Sequence, residues 1–166
     1  LSLRRQRQMC IRDRFGRDGY RPIHLTIKHH SPEEIATHYR AADLCVVSSL
    51  HDGMNLVAKE FVAARDDEQG VLILSQFTGA ATELAEGLVV NPYNIDECAA
   101  ALHLALTMPG TEQRARMRSL RGIVQEFNVY RWAGRMLMDA ARMRQRARVL
   151  RQMGERDVRA TMEDHA

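Results

Sequence analysis

Between Arg21 and Met108, short apolar runs rich in β-branched residues alternate with stretches of helical periodicity. This alternation is typical of βαβ units, whose strands pair in parallel and whose helices cover both faces of the sheet. Residues 71–75 are apolar almost without interruption, as expected of a strand buried on both faces. The sequence therefore predicts an α/β fold, a parallel sheet with helices on both faces.

Local start and stop signals place the individual elements. Strands are predicted over residues 22–28, 43–48, 71–75 and 88–92, and helices over 32–42, 55–65, 80–86 and 94–108. Ser31 and Glu34 form a capping box with Pro32 at the first helical position, and Asn94 can cap the helix that Pro109 and Gly110 stop. Beyond Gly110 the chain becomes Arg- and Met-rich, which predicts helices with a break near Phe127.

The predicted organisation has four segments. Residues 1–14 resemble a translated sequencing adapter, although a natural basic arm is the alternative. Residues 15–128 are predicted to form a partial α/β domain, residues 129–153 a C-terminal helix and residues 154–166 a polar tail. Residues 1–14 hold five arginines and one aspartate, so without their +4 the formal charge of +3 becomes −1. The basic isoelectric point is therefore no argument for nucleic-acid binding.

Other function classes find little support in the sequence. No apolar run approaches the ~20 residues that span a bilayer, so we expect no membrane association. Cys45 and Cys98 show no CxxC spacing and are read as structural thiols of a cytoplasmic protein. The histidines show no HxxxH or HExxH pair with an acidic partner on one predicted helix, so we expect no metal and no cofactor.

The most informative string is residues 52–60, Asp-Gly-Met-Asn-Leu-Val-Ala-Lys-Glu, between a predicted strand and a predicted helix. A helix N-terminus at the carboxyl edge of a sheet binds phosphate through unpaired N–H groups, here those of Asn55, Leu56 and Val57. Gly53 would let the backbone approach a ligand, or is an ordinary turn glycine. Asp52 could accept bonds from two sugar hydroxyls, or cap the helix.

Later positions extend this string. Glu60 lies one helical turn below Leu56, where it could accept bonds from a ribose diol. Lys59 points elsewhere and is as readily a surface or structural charge. Gly79, before Ala80 and Ala81, could cap a helix against a ligand or allow close helix–strand packing. The spacing favours a nucleotide-sugar: sugar at Asp52, diphosphate at Leu56 and Val57, and ribose at Glu60.

Several strings together resemble the trehalose-6-phosphate synthase family of retaining glycosyltransferases. They are Tyr-Arg-Ala-Ala-Asp at 39–43, residues 52–64, Gly-Val-Leu-Ile-Leu-Ser-Gln-Phe-Thr-Gly-Ala-Ala at 70–81 and Val-Asn-Pro-Tyr at 90–93. The resemblance implies the GT-B fold, two facing Rossmann-like domains of which the C-terminal one mainly holds the donor. Residues 15–128 of this chain would then be a partial nucleotide-sugar-binding Rossmann-like domain, part of that C-terminal domain.

The resemblance also implies roles for the donor string and for one residue before it. Asp52 and the backbone of Gly53, Met54 and Asn55 would hold the donor glucose, Leu56 and Val57 the diphosphate, and Glu60 the ribose, with Ala58 and Lys59 in the same donor-binding string. His30 would lie against the uracil, where the family often has an aromatic residue. No metal is implied.

The parent reaction would transfer glucose from UDP-glucose to glucose 6-phosphate with retention, giving trehalose 6-phosphate and UDP. The basic residues for the leaving diphosphate, and most of the glucose 6-phosphate site, would lie upstream of residue 15, so we expect the chain to be inactive alone. The full enzyme could be a homo-oligomer. Alternatives are a glucosylglycerol-phosphate synthase and a non-catalytic, regulatory sugar-nucleotide-binding homologue.

Overall fold

Three parallel strands lie at the centre of the computed structural model, which describes Ile11 and residues 14–163, with residue 152 and residues 154–163 described as backbone only. The strands are β1 Leu44–Val47, β2 Val71–Ser75 and β3 Leu88–Val90, in the order β1-β2-β3. The helices, in chain order, are α1 Pro32–Ala41, α2 Leu56–Ala64, α3 Ala80–Glu83, α4 Ile95–Thr107, α5 Gly110–Glu126 and α6 Val129–Glu163. The predicted α/β class with a parallel sheet is confirmed.

The central strand β2 explains why helices cover both faces of the sheet. All five of its residues are buried. Because successive side chains point to opposite faces, Leu72 and Leu74 enter one apolar core while Val71 and Ile73 enter another. The first core is completed mainly by α2 and α5 through Phe61, Val62, Met117 and Leu120, and the second by α4 through Ala105 with Met108.

Helix boundaries follow the capping signals closely. Ser31 Oγ accepts from Glu34 N at 3.2 Å while Glu34 Oε2 accepts from Ser31 N at 3.3 Å, which confirms the capping box before Pro32. Asn94 Oδ1 likewise accepts from Glu97 N at 3.2 Å at the start of α4. The last helix continues to Glu163, past residue 153 where the sequence predicted its end.

The strand predicted over residues 22–28 is wrong, since the structure shows no strand there. Ile23, Leu25 and Ile27 do alternate as a strand would, but they are 41%, 45% and 78% exposed. An alternating run forms a stable strand only when a neighbour pairs with it and a core takes its apolar face.

The contacts of the chain divide it into two units, one up to Ile35 and the other from Ala36 onward. The sheet, its two cores and the string 52–60 all belong to the second unit. The predicted leader, residues 1–14, lies outside the described residues except for Ile11 and Arg14. Its foreign origin stays a prediction, as do the segment boundaries after residues 14 and 128.

Candidate functional site

The string 52–60 begins in the loop from β1 to α2 and continues into α2, and the loop lies at the carboxyl edge of the sheet. It is held there by the loop that follows β2. Asp52 N donates to the Phe77 carbonyl at 3.3 Å, and Gly79 N donates to the Asp52 carbonyl at 2.9 Å. These bonds form an isolated parallel bridge between Asp52 and Thr78. The first residue of the predicted donor site is thus fixed by the backbone of a second loop.

The Asp52 carboxylate organises its own loop. Oδ1 accepts from Met54 N at 3.2 Å and from Asn55 N at 3.0 Å, and Oδ2 accepts from Asn55 Nδ2 at 2.9 Å. These bonds, the one from the Asn55 side chain foremost, lower the pKa of Asp52, so the group is a carboxylate at neutral pH. Since a carboxylate has about four lone-pair sites, room remains for about one further hydrogen bond.

Asn55 starts the helix in an uncommon backbone conformation. It is 5% exposed and has φ 57°, in the left-handed region that asparagine tolerates better than most residues. Its Oδ1 accepts from Ala58 N at 3.0 Å while its Nδ2 holds Asp52. The Asn55 side chain therefore caps α2 with its oxygen and hydrogen-bonds the Asp52 carboxylate with its nitrogen.

The first two N–H groups of α2 remain available. Among the described residues, no hydrogen-bond acceptor reaches the N–H of Leu56 or of Val57. Both residues are exposed, at 56% and 45%. Unpaired N–H groups at the positive end of a helix dipole attract an anion. The N–H of Ala58, by contrast, is already used by Asn55.

Glu60 lies one turn further along α2 and has a partner that the sequence did not indicate. The Tyr39 hydroxyl donates to Glu60 Oε2 at 3.3 Å, and the Tyr39 ring packs edge-on against Phe61. Burial, and then the charge of Glu60, raise the pKa of Tyr39 to about 12, so its hydroxyl keeps its proton. Tyr39 lies near the end of α1, 21 residues before Glu60 in the sequence, and the fold brings it against α2.

Lys59 is a structural charge, one of the two alternatives that the sequence left open. Its Nζ lies 2.6 Å from Glu83 Oε2, on α3. The lysine side chain is 22% exposed, so the ion pair is partly shielded from water. It joins α2 to α3 beside the loop that connects β1 to α2.

Gly53 and Gly79 differ in whether the surrounding structure leaves space for a side chain. A Cβ on Gly53 would meet no protein atom within 4 Å, so the fold itself does not need glycine there. A Cβ on Gly79 would overlap the Gly53 carbonyl oxygen and lie 2.9 Å from its carbonyl carbon. The close packing considered for Gly79 thus exists, but against the backbone of the loop from β1 to α2.

His30 belongs to the first unit of the chain. Its Nδ1 lies 3.3 Å from Glu34 Oε2, and its side chain is 17% exposed. Its place against a uracil stays a prediction. In the part of the chain that the structure describes, no group of three His, Cys, Asp or Glu side chains could hold a metal ion. Nor does that part contain a helix long and apolar enough to cross a membrane.

Comparison with known sequences identifies the family. The sequence profile of glycosyltransferase family 20 matches residues 7–142. The chain belongs to glycosyltransferase family 20. The trehalose-6-phosphate synthase of Klebsiella pneumoniae is 42% identical over 146 residues, 87% of this chain and 31% of that protein. The Salmonella typhimurium LT2 enzyme is 43% identical over 130 residues, 78% of this chain and 28% of that protein.

Solved structures of family members share the fold. An E. coli trehalose-6-phosphate protein bound with UDP-2-fluoro glucose superposes with a TM-score of 0.79 at 39% identity, over 81% of this chain and 30% of that one. A Burkholderia xenovorans alpha,alpha-trehalose-phosphate synthase in complex with glucose-6-phosphate gives 0.79 at 42%, over the same shares. The Burkholderia multivorans enzyme gives 0.83 at 34%, over 89% and 31%. The chain thus spans about 30% of the length of its relatives.

Proposed function

We propose that this chain is the donor-binding part of an alpha,alpha-trehalose-phosphate synthase, which transfers glucose from UDP-glucose to glucose 6-phosphate with retention. One observation carries the proposal most: the α2 N-terminus offers two uncommitted N–H groups, at Leu56 and Val57, between the carboxylates of Asp52 and Glu60. A diphosphate that carries a sugar at one end and a ribose at the other presents hydroxyls, an anion and hydroxyls in the order that matches these carboxylates and N–H groups. UDP-glucose fits that description.

Each part of the donor has a proposed partner. The diphosphate accepts from the N–H groups of Leu56 and Val57. The ribose hydroxyls donate to Glu60, whose orientation the Tyr39 hydroxyl supports. The glucose donates about one hydrogen bond to Asp52, and its other hydroxyls meet the backbone of Gly53 and Met54. His30 is proposed to lie against the uracil.

The relatives support the substrates and the stereochemistry. The E. coli protein binds UDP-2-fluoro glucose and the Burkholderia xenovorans enzyme binds glucose-6-phosphate. Another solved trehalose-6-phosphate synthase, at 38% identity, was studied for glycosyltransfer with retention. Activation of the leaving diphosphate and choice of the acceptor are assigned to the rest of the enzyme. The free thiols of Cys45 and Cys98 are compatible with the cytoplasmic location that we propose.

Donor binding can be tested on the chain itself. We expect calorimetric titration to show UDP-glucose binding, and Asp52→Ala and Glu60→Ala each to weaken it about tenfold through loss of hydrogen bonds from the sugars. Glu112→Ala is the matched control, because Glu112 is an exposed carboxylate on α5 that pairs with Arg116. Affinity equal to that of the parent chain in both site variants would remove Asp52 and Glu60 from the donor site.

The acceptor is tested on the complete enzyme. Offered UDP-glucose with either glucose 6-phosphate or glycerol 3-phosphate, it should form trehalose 6-phosphate from the first. A product only with glycerol 3-phosphate would identify a glucosylglycerol-phosphate synthase instead. Binding of UDP-glucose without any transfer would favour a regulatory homologue.

A further inference from the structure

The loop after β2, residues 76–79, is a rigid support for the loop from β1 to α2, residues 48–55, which is called the donor loop below. Thr78 Oγ1 donates to the Ser75 carbonyl at 2.9 Å, and Phe77 N donates to Ser75 Oγ at 3.2 Å. Ser75 and Thr78 are buried, at 0% and 3% exposure. Two further backbone bonds then join this loop to Asp52. A loop whose polar groups are satisfied internally has little freedom to move away from its neighbour.

Resting on the donor-site assignment proposed above, we infer that Gly79 is a positioning residue for the diphosphate: its missing side chain sets where the Asp52–Gly53 backbone lies and hence where α2 begins. A Cβ at residue 79 would lie 2.9 Å from the Gly53 carbonyl carbon and 3.5 Å from Met54 N. The atoms it meets are backbone, which cannot rotate aside as a side chain can.

The backbone conformation of Gly79 isolates this steric role. Its φ of −59° and ψ of −32° are right-handed helical values that alanine adopts readily. Alanine is also the better helix former, by about 1 kcal/mol, at an unconstrained position. Any loss on Gly79→Ala therefore comes from the contact with the donor loop and not from the local conformation.

The two ends of the donor site should respond differently to that contact. Leu56 and Val57 directly follow the loop that a Cβ would displace, and hydrogen bonds tolerate only a few tenths of an ångström in length. Glu60 lies on a turn anchored by Ala58, Phe61 and Val62, all at 0% exposure. The diphosphate contacts would therefore move while the ribose contact stays.

The test compares UDP with uridine by NMR titration of the 166-residue chain. Gly79→Ala should weaken UDP binding by about tenfold to a hundredfold, the loss expected from displacing a polar contact by about 1 Å, and leave uridine binding within twofold. Gly122→Ala on α5 is the matched control, since a Cβ there meets nothing within 4 Å. Equal losses for UDP and uridine, or no loss for either, would overturn the inference.

Two further measurements separate this inference from the proposed function. In Gly79→Ala without ligand, amide shifts should change at Gly53, Met54, Leu56 and Val57 and stay constant on α5. If the parent chain binds no UDP, the proposed function fails while these shifts still decide the positioning role. If the variant does not fold, saturating UDP should slow amide exchange of Gly79 in the parent chain; unchanged exchange there would contradict the inference.

Discussion

The two ends of helix α2 are built in opposite ways. At its start, on the carboxyl edge of the sheet, the N–H groups of Leu56 and Val57 are left without acceptors among the described residues. At its end, on the amino edge, the buried Arg65 guanidinium saturates the neighbouring acceptors. It donates to the carbonyls of Tyr39, Arg40, Ala42 and Gln69 and to the Asp67 carboxylate.

This contrast separates stability from binding within one nine-residue helix. Arg65 is 5% exposed, and its charge lies against the carbonyls that end α1, where a cation is favourable. Its hydrogen bonds hold the end of α1 and the loop after α2 together at the amino edge. At the carboxyl edge, by contrast, the N–H groups of Leu56 and Val57 stay unpaired among the described residues, and in the function proposed above they bind the diphosphate. Mutations at the two ends should therefore affect different measurements.

The largest expected effect is at the amino edge. Arg65→Met should lower the free energy of unfolding by about 3 kcal/mol or more, because it removes the guanidinium donor from four partly buried carbonyls and from the Asp67 carboxylate. The urea midpoint, followed by circular dichroism, measures this. Arg118→Met is the control, since Arg118 is 68% exposed and binds only the side chain of Glu68. Equal midpoint shifts in the two variants would break the distinction between the edges.

A smaller effect is expected at the carboxyl edge. Asn55→Ala should cost about 2 kcal/mol, since it loses the bond to Ala58 N and places alanine in the left-handed region. Asn55→Gly loses the same bonds without the strain and should cost about half as much. Both should also weaken UDP-glucose binding, because Asp52, the proposed glucose contact, loses the hydrogen bond from Asn55 Nδ2. Identical urea midpoints for the two variants would show that φ at residue 55 does not matter.

The smallest effect at neutral pH concerns Tyr39, which contacts both ends of α2: its carbonyl accepts from Arg65 and its hydroxyl donates to Glu60. Burial raises the pKa of Tyr39 to about 12 and that of Cys45 to about 11. The unfolded chain then loses these protons first, so stability is complete below about pH 9 and falls as pH rises towards 12.

Tyr39→Phe isolates this contribution. At pH 7 it should cost less than about 1 kcal/mol, one exposed hydrogen bond. Between pH 10 and about 12 the stability of the variant should decline less steeply than that of the parent chain. Phenylalanine has no proton to lose in this range, whereas the pKa of Tyr39 is raised to about 12 in the folded parent chain. Parallel urea-midpoint curves over that range would contradict the role of Tyr39 burial.

Much of the fold could be predicted because its signals are local. The apolar run 71–75 predicts a strand that is buried on both faces of the sheet. Asn94 predicts the first residue of α4 to within one position. Residues 22–28 carry an equally clear alternation yet form no strand, because a strand also needs a partner that its own sequence does not provide. Periodicity determines which face is apolar, and pairing determines whether the strand exists.

In the candidate site, too, the features set by local spacing could be predicted and the contacts between distant segments could not. The order Asp52, Leu56, Glu60 follows from spacing along one loop and one helix, and could be predicted. The contact of Gly79 with Gly53, and the bonds of Tyr39 and Arg65, join segments far apart in sequence. Arg65 in particular has no local signal, since in the sequence it is simply the last residue of a predicted helix.

The order of the strands has a consequence for how the chain acquires its structure. Leu44 pairs with Val71 and Ile73 pairs with Leu88, so each strand joins the one before it across a single helix and its two loops. No strand must wait for a partner from a later part of the sheet. Short closures of this kind favour rapid folding. The sheet can therefore be assembled strand by strand as the ribosome delivers it, with β2 buried on both faces only when α5 emerges after α4.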